Sequence, residues 1–563
     1  MPVRLPLTIP PTASVREPDI DALFAQDVEA HGPGAAVGLY HEGALKFAKG
    51  YGLADLESGR PITPQTPFHV ASVSKQFTAF AVALLAREGK VDLDADIRDY
   101  LPYVPDFGTP IRVRHLILHT SGLRNQWPLL MYGGQSIQGR ITQQQIVNLV
   151  ARQQGLNFPP GSDHLYSNTG YTLLAELVFA VSGQTLREFT SEQIFTPLGM
   201  ERTFFFDDVT EVVPHRANSY SKRREAEAGA GASGWARALL NFDNAGATSL
   251  FTTVQDLATW AGNLTNPVVG DRALIEQVST GGTLDDQTPI HYGFGLIRDE
   301  LNGRATLRHT GSDAAFRSVF VHFPDHDFAV SILANTELDL MSKVGSIADL
   351  YLPPAAANVK SPPAADTETD LSKFVGTYLP ECGPSSRLEV RDGTLVHLGG
   401  SREPQGLIAR VDGTLDAGSP GGQSFLPVVD TAGKVTVLHV PRTGHGRPFH
   451  LRRIEPWQAP AGDLGQYSGD YRSRELDITY SINIEDDELV ARHLWSNQPL
   501  TFTPVLPDRF ESVGTMVVTL VFQRETTGQI DHLLLHGRSD RNVRFDRVGA
   551  ARAPVPGAST KAR

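Results

Sequence analysis

A serine and a lysine three positions apart, Ser72 and Lys75, stand where the apolar pattern predicts the start of a helix over roughly residues 72 to 88. Residues i and i+3 of a helix share one face, so the lysine could reach the serine hydroxyl. A helix N-terminus also offers backbone N–H groups that can bind a developing oxyanion. The same four letters are equally typical of a helix cap with a solvated lysine, so this pair alone leaves both interpretations open.

A second S-x-x-K match, Ser219 to Lys222, shows how little this motif proves by itself. The polar stretch "SKRREAEAGAGASG" follows it, which predicts a loop that offers a nucleophile no scaffold. Around Ser72, in contrast, apolar residues recur at helical spacing from Val73 to Leu85. The context therefore favours the first match, where a lysine base would have to be partly desolvated so that its pKa falls toward neutral.

Tyr166 and Asn168 form a Y-x-N motif in a turn-rich stretch before a helix predicted over residues 171 to 183. A loop tyrosine could take the serine's proton or pass it to a leaving group if a neighbouring cation lowers its pKa. The asparagine amide could hold the lysine and a substrate carbonyl. Taken alone, Asn168 fits a helix cap better than a catalytic role.

His309, Thr310 and Gly311 form a third element at the end of a predicted strand. A glycine there would let a substrate backbone approach the strand edge closely. The N–H of Ser312 could then supply one donor of an oxyanion hole. A single histidine at such a place is more often structural or solvated than catalytic.

The three motifs, in this order, resemble the serine β-lactamase and penicillin-binding-protein superfamily, nearest to its branch of class C β-lactamases, D-aminopeptidases and esterases. The resemblance spans roughly residues 20 to 350 and includes the segments "LILHTSGL", "PLGM", "YGFGL" and "NAGATSLFTTVQDLATW". It implies an acyl-enzyme mechanism without metal or cofactor. It also implies the following roles: Ser72 is the nucleophile, Lys75 and Tyr166 activate it and protonate the leaving group, Asn168 orients the lysine and substrate, and the N–H groups of Ser72 and Ser312 bind the oxyanion.

His309 departs from the pattern of this superfamily, because many relatives carry lysine at that position. Histidine is only partly charged near pH 7, so recognition of a β-lactam or peptide carboxylate should weaken. The resemblance then implies a D-aminopeptidase, amidase or esterase, with β-lactamase activity as a side reaction. A penicillin-binding or sensing protein that acylates without efficient turnover, or an acyltransferase, stays open as an alternative.

The region after residue 370 predicts an all-β repeat, because "LSKFVGTY" and "LGQYSGDY" share L-x-x-[FY]-x-G-x-Y at an offset of 93 residues. Short alternating runs between them fit small closed barrels, whose closure removes exposed strand edges. The expected fold is an α/β (α+β) β-lactamase-like domain with a mixed antiparallel sheet, followed by two lipocalin-like barrels. The predicted segments are a catalytic domain at 1–352, a linker at 353–370, barrels at 371–456 and 463–549, and a disordered tail at 550–563.

Composition narrows the remaining function classes. The net charge of −13 offers no basic field for nucleic acid, and no run of eighteen uncharged apolar residues predicts a membrane span. The single cysteine, Cys382, excludes an internal disulfide and a thiolate zinc pair. The proline-broken N-terminus is a poor secretory signal, so a cytoplasmic protein is expected, or a periplasmic or secreted one if a leader has been removed. A small molecule or short peptide is the expected substrate, and the oligomeric state is left open.

Overall fold

The structure is a computed structural model that describes residues 16–223, 234–354, 370–399, 404–417, 424–442, 447–460, 463–493, 499–512 and 517–550. The N-terminal stretch 1–15, most of the predicted linker and nearly all of the predicted tail lie outside these ranges. The chain divides into two compact units, which are described separately. Unit 1 comprises residues 1–91, 178–281 and 293–358, and unit 2 comprises residues 92–177, 282–292 and 359–563.

An antiparallel sheet forms the centre of unit 1. The strands of this unit are β1 (Ala35–His41), β2 (Ala44–Tyr51), β3 (Leu53–Asp55), β4 (Arg60–Pro61), β5 (Phe68–His69), β6 (Phe204–Phe205), β7 (Tyr220–Lys222), β8 (Trp235–Arg237), β9 (Leu250–Thr252), β10 (Ile297–Leu301), β11 (Arg304–Asp313), β12 (Phe316–Phe323) and β13 (Phe328–Ala334). The central sheet has six strands in the order β10-β11-β12-β13-β1-β2. β1 pairs with β13, so early and late strands of the catalytic region meet in one sheet.

The helices of the catalytic region agree with the apolar periodicity of the sequence. They are α1 (Glu17–Ala25), α2 (Lys75–Arg87), α3 (Val113–Ile117), α4 (Gln126–Tyr132), α5 (Gln143–Ala151), α6 (Asn168–Ser182), α7 (Leu186–Thr190), α8 (Thr196–Leu198), α9 (Val254–Thr265), α10 (Arg272–Ser279) and α11 (Leu340–Tyr351). Two starts differ by three residues from the prediction: α2 begins at Lys75 and not at residue 72, and α6 begins at Asn168 and not at residue 171.

Helix packing in unit 1 fixes the position of α2. α1 and α11 bury apolar side chains such as Phe24 and Val344 in one core with the strands of the central sheet. α2 packs on α9 through Phe77 and Phe80, whose rings contact Trp260 at centroid distances of 4.7 and 5.1 Å. The indole N–H of Trp260 also donates to Gln76 Oε1 at 2.6 Å. A buried hydrogen bond of this kind specifies one orientation of the two helices, since the polar groups would otherwise be left unpaired.

The predicted repeat forms two closed eight-stranded barrels in unit 2. Barrel 1 consists of β14 (Gly376–Leu379), β15 (Ser386–Arg391), β16 (Thr394–Gly399), β17 (Gln405–Ala409), β18 (Leu415–Asp416), β19 (Ser424–Val429), β20 (Val435–Val440) and β21 (Phe449–Ile454). Barrel 2 consists of β22 (Gly469–Ser473), β23 (Ile478–Glu485), β24 (Glu488–His493), β25 (Leu500–Leu506), β26 (Arg509–Ser512), β27 (Thr519–Arg524), β28 (Ile530–His536) and β29 (Val543–Gly549). In each barrel the first strand pairs with the last.

The repeated motif has the same structural task in both barrels. Its final tyrosine is fully buried and donates its O–H to the backbone carbonyl four residues earlier, Tyr378 to Phe374 at 2.7 Å and Tyr471 to Tyr467 at 3.0 Å. An arginine of the last strand lies over each of these rings, about 6 Å from the centroid. The final tyrosine of the repeat therefore has a structural role in both barrels.

Candidate active site

Ser72 lies in a single 3-10 turn, Ala71–Ser74, that leads directly into α2. Ala71 has a φ of 46°, a left-handed conformation that alanine rarely adopts. The turn is held from two strands: Ser318 Oγ of β12 donates to Val70 O at 2.7 Å, and the Leu250 N–H of β9 donates to Ser74 Oγ at 3.1 Å. Such surroundings can hold a strained backbone next to a reactive group.

Lys75 is the first residue of α2, and its side chain is fully buried. Its Nζ lies 3.0 Å from Ser72 Oγ and donates to the Ala247 carbonyl at 2.6 Å. Burial lowers the pKa of Lys75 to about 7, and the Asp313 carboxylate acts in the opposite direction. A large fraction of the amine is therefore neutral near pH 7, and its lone pair can accept the Ser72 proton.

His309 is buried beside this lysine rather than solvated. Its Nδ1 contacts the Thr310 carbonyl at 2.7 Å, and since a carbonyl only accepts, Nδ1 carries the ring proton of neutral His309. Burial, reinforced by the charge of Lys75, lowers the pKa of His309 to about 3. The expectation of a partly charged histidine is thus wrong: the ring is neutral at pH 7, with Nε2 as an acceptor.

Gly311 packs closely against the residues that precede Ser72, and its predicted role in substrate approach stays a prediction. A Cβ at this position would lie 2.3 Å from both Val70 O and Ser318 Oγ, so any side chain would push β11 away from the turn that carries Ser72. Thr310 and Ser312 alternate with it on the exposed side of the strand. Among the described strands, β10 pairs with β11 only as far as Arg308, and the half that carries these residues pairs with β12 alone.

In unit 2, Tyr166 is positioned by His119, a residue of the segment 116 to 123 to which the sequence analysis assigned no role of its own. The two rings contact each other with centroids 4.2 Å apart and planes tilted by 41°. His119 Nδ1 accepts the Ser167 N–H at 3.2 Å, and its carbonyl accepts the Leu165 N–H at 3.0 Å. Contacts of His119 to the residues on both sides of Tyr166 therefore restrict the backbone of Tyr166. This role of His119 is visible only in the folded structure, because the two segments are far apart in the sequence.

Asn168 begins α6 and does not precede it, so the cap interpretation is replaced by a side-chain contact. Its backbone N–H and its Nδ2 both donate to Asn125 Oδ1 at 3.2 Å. The Asn125 N–H in turn donates to Oδ1 of Asp540, which lies between β28 and β29 of barrel 2, at 2.6 Å. Burial raises the pKa of Asp540 to about 7. No local sequence signal identifies Asn125 or Asp540.

The neighbour of Asn125, Arg124, forms an ion pair with Glu475, which lies between β22 and β23 of barrel 2. The two side chains are each 3% exposed, and Arg124 Nη1 lies 2.6 and 2.8 Å from the two carboxylate oxygens. The Arg124 carbonyl accepts the Thr169 hydroxyl of α6 at 2.7 Å. Removing one partner of such a buried pair leaves an uncompensated charge, so barrel 2 is energetically tied to the start of α6.

Comparison with known proteins identifies the catalytic region. The family profile described as Beta-lactamase matches residues 20–345. The chain belongs to this family. This match confirms the resemblance of the chain to the serine β-lactamase and penicillin-binding-protein superfamily.

The similarity of this Beta-lactamase family chain to its relatives and to solved structures extends beyond the catalytic region into the barrels. A D-aminopeptidase of Gluconobacter oxydans (strain 621H) is 28% identical over 81% of this chain and 82% of its own length. A D-aminopeptidase of Brucella canis is 27% identical over 79% of this chain and 80% of its own length. The octameric penicillin-binding protein homologue from Pyrococcus abyssi has a TM-score of 0.54 at 20% identity and covers 85% of this chain and 99% of its own. SurE has a TM-score of 0.53 at 24% identity and covers 77% of this chain and 98% of its own. At these identities, the two structures are evidence for the fold and not for the function.

Within the described ranges, no helix has the length and hydropathy that a membrane span requires. No group of three or more His, Cys, Asp or Glu side chains in the described part of the chain is arranged to hold a metal ion.

Proposed function

We propose that the chain is a serine hydrolase that cleaves an amide or ester bond through an acyl-enzyme on Ser72. The observation that carries this proposal is the fully buried Lys75 with its Nζ 3.0 Å from Ser72 Oγ. A lysine whose pKa is about 7 can serve as a general base at neutral pH, which a solvated lysine cannot.

In the acylation step, neutral Lys75 takes the proton of Ser72 as Oγ forms a bond to the substrate carbonyl carbon. The carbonyl oxygen becomes an oxyanion, and we assign its stabilisation to the N–H groups of Ser72 and Ser312. When the tetrahedral intermediate collapses, the bond to the leaving nitrogen or oxygen breaks, and the proton passes to that atom. Water then attacks the acyl-enzyme in the reverse sense and releases the acid.

We assign the delivery of the proton to Tyr166 together with Lys75, and the orientation of the lysine and the substrate carbonyl to Asn168. The family motif supports these roles, and the contacts of His119 and Asn125 restrict both residues within unit 2. Thr310 and Gly311 belong to the strand along which an extended substrate would add itself by main-chain hydrogen bonds.

For the substrate, we propose peptides or amides with a D-amino acid at the scissile bond. The D-aminopeptidases among the relatives support this class, because they match both the catalytic region and much of the barrel region. The neutral His309 supports it further, since an uncharged acceptor does not attract the carboxylate of a β-lactam. Small esters remain candidate substrates because the acyl-enzyme chemistry is shared.

A panel of three chromogenic substrates tests the proposal: D-alanine p-nitroanilide, a p-nitrophenyl ester and nitrocefin, with L-alanine p-nitroanilide as the matched control. We expect sustained turnover of the D-anilide above the L-anilide, and loss of that turnover in Ser72→Ala. A burst without steady turnover on all substrates would instead favour the protein that acylates without release. Turnover that survives in Ser72→Ala would exclude the acyl-enzyme.

A further inference from the structure

A hydrogen-bond network in unit 1 joins three residues that the proposed mechanism does not use: His69, Thr248 and Asp313. His69 is the last residue of β5, Thr248 lies two residues before β9, and Asp313 is the last residue of β11. His69 Nε2 lies 3.0 Å from Asp313 Oδ2, and since a carboxylate only accepts, Nε2 carries a proton. The Thr248 hydroxyl donates to the same oxygen. Two segments, 244 and 65 residues away in the sequence, therefore hold this carboxylate in place.

Asp313 lies on the face of β11 that packs against the turn carrying Ser72. Side chains alternate along a strand, so His309, Gly311 and Asp313 share one face. The first of them, His309, is buried beside Lys75. The middle one, Gly311, has no room for a Cβ because the turn lies against it. The carboxylate of Asp313, a side chain only 15% exposed, is therefore directed toward the same buried region as the lysine.

Lys75 becomes a cation during the proposed acylation, because it takes up the serine proton. A cation at a fully buried position costs free energy unless an anion nearby compensates it. His309 cannot supply that charge, since its ring is neutral at pH 7. Asp313 can: its negative charge favours the protonated amine and opposes the fall in the pKa of Lys75 that burial causes.

Other charged side chains surround this network on the neighbouring strands and on the segment before β9. They have partners of their own: Arg308 pairs with Asp299, Arg317 pairs with Glu337, and Asp243 accepts the Val209 N–H. The titratable group in direct contact with Asp313 is His69. A test of the charge of Asp313 must therefore separate it from the titration of that ring.

We propose that Asp313 is a positioning residue of the Ser72 site, whose carboxylate compensates the charge of Lys75 when this amine takes up the serine proton. His69 and Thr248 hold that carboxylate in place. The inference rests on the proposed hydrolase function and adds to its mechanism a residue that belongs to none of the three sequence motifs. The aspartate of a Ser-His-Asp triad has a comparable task, because it stabilises the imidazolium that forms in the reaction.

The rate of fluorophosphonate labelling, measured from pH 5 to 9, tests this role. In the parent the rate should rise with pH around a midpoint near 7, where Lys75 loses its proton. Asp313→Asn should lower this midpoint by about one pH unit and the plateau roughly tenfold, because the protonated amine is no longer compensated. Asp313→Glu should return the midpoint toward 7, since it restores the charge. An unchanged midpoint in Asp313→Asn would overturn the proposal, because a merely structural residue changes the rate without moving the midpoint.

Two further variants serve as controls for the titration. His69→Gln removes the titratable ring but keeps an N–H donor for Asp313, and its midpoint should stay near 7. A midpoint that disappears in this variant would assign the titration to His69 and overturn the proposal. Asp19→Asn, at an exposed ion pair of α1 with Arg16, is the matched control for the change of aspartate to asparagine. Its profile should coincide with that of the parent.

The free energies of unfolding of Lys75→Met, Asp313→Asn and the double variant measure the same interaction without any reaction. At pH 5, where Lys75 is protonated, the two changes should be coupled by about 1.4 kcal/mol, the equivalent of a shift of one pH unit. At pH 9 the amine is neutral and the coupling should vanish. Coupling of equal size at both pH values, or none at pH 5, would overturn the proposal. Absence of labelling in the parent would instead count against the hydrolase function, because the unfolding measurements do not depend on labelling.

Discussion

Ser72–Lys75 and Ser219–Lys222 have the same S-x-x-K spacing on two different kinds of backbone. The first pair spans a 3-10 turn and the start of α2, where residues three apart share a face, and the two polar atoms lie 3.0 Å apart. The second pair runs into strand β7, where the side-chain period is two and residues three apart point to opposite faces. Spacing therefore carries chemical meaning only together with the element that bears it.

The two lysines differ even more than the two serines. Lys75 is fully buried, whereas Lys222 is exposed, with Glu29 at 3.4 Å and the Trp235 ring at 5.4 Å. Ser219 is buried and donates to the Ala238 carbonyl at 3.1 Å, so its hydroxyl has a structural partner. The sequence-based prediction of a loop after Ser219 is wrong for residues 220 to 222, which form a short strand paired with β8.

The largest expected difference between the two pairs is in the nucleophile. Ser72→Ala should lose all labelling by a fluorophosphonate and lower kcat/KM roughly 10⁴-fold or more, because the acyl-enzyme has no atom on which to form. Ser219→Ala should still be labelled to full stoichiometry. Labelling of Ser72→Ala, or its loss in Ser219→Ala, would reverse the assignment of the two serines.

Replacing each lysine by methionine should give the next largest difference between the two pairs. Lys75→Met should reduce the rate of acylation roughly 10³-fold, since general base catalysis at Ser72 is lost while the methionine keeps the volume of the buried stem. Lys222→Met should stay within about twofold of the parent, because it removes only a surface charge. The two rates can be compared by stopped-flow labelling at pH 7.5. Equal effects of both changes would show that the burial of Lys75 has no role in catalysis.

Adding a single methyl group at Gly311 tests how the strand supports the turn that carries Ser72. Gly311→Ala should lower kcat roughly 100-fold, because its Cβ would displace Val70 O and with it Ser72. Gly406→Ala in β17 of barrel 1 is the control, since a Cβ there meets only Thr394 Cγ2 at 3.7 Å. A Gly311→Ala enzyme with parent kcat would mean that β11 and the turn can separate without cost to the reaction. The amount of folded protein should be checked by circular dichroism in both variants.

The smallest effect concerns pH and stability. Because the pKa of Lys75 is lower in the folded chain than the ordinary lysine value of 10.5, the unfolded chain holds up to one more proton between pH 7 and 10.5. This residue therefore makes stability rise with pH in that window. In urea denaturation, the free energy of unfolding of the parent minus that of Lys75→Met should rise by about 1.4 kcal/mol per pH unit between pH 7 and 9. The difference in the free energy of unfolding between the parent and Lys222→Met should not change with pH. If the difference between the parent and Lys75→Met also did not change with pH, the pKa of Lys75 would lie near its ordinary value.

Local pattern was sufficient for much of the fold. The helical spacing from Val73 to Leu85 predicted α2. The duplicated L-x-x-[FY]-x-G-x-Y motif predicted two equivalent barrels, which both formed. Each of these predictions depends on residues that are close in the sequence, where periodicity and turn chemistry act directly.

The supports of the candidate site could not be predicted in the same way. His119 and Asn125 were found only because the chain brings them to Ser167 and Asn168. Glu475 lies 351 residues from Arg124, and neither residue stands in a recognisable motif. A buried ion pair depends on both partners losing water together, and no local pattern records that event.

By itself, the sequence determined which residue types are available and in what order: a serine and lysine at a helix start, a tyrosine and asparagine before a second helix, and a histidine–threonine–glycine strand. Only the tertiary structure decided their protonation states. The pKa of Lys75 is about 7 and His309 is neutral at pH 7 because distant strands and helices remove water from both side chains. The free energy of losing that water is a property of the whole packed environment.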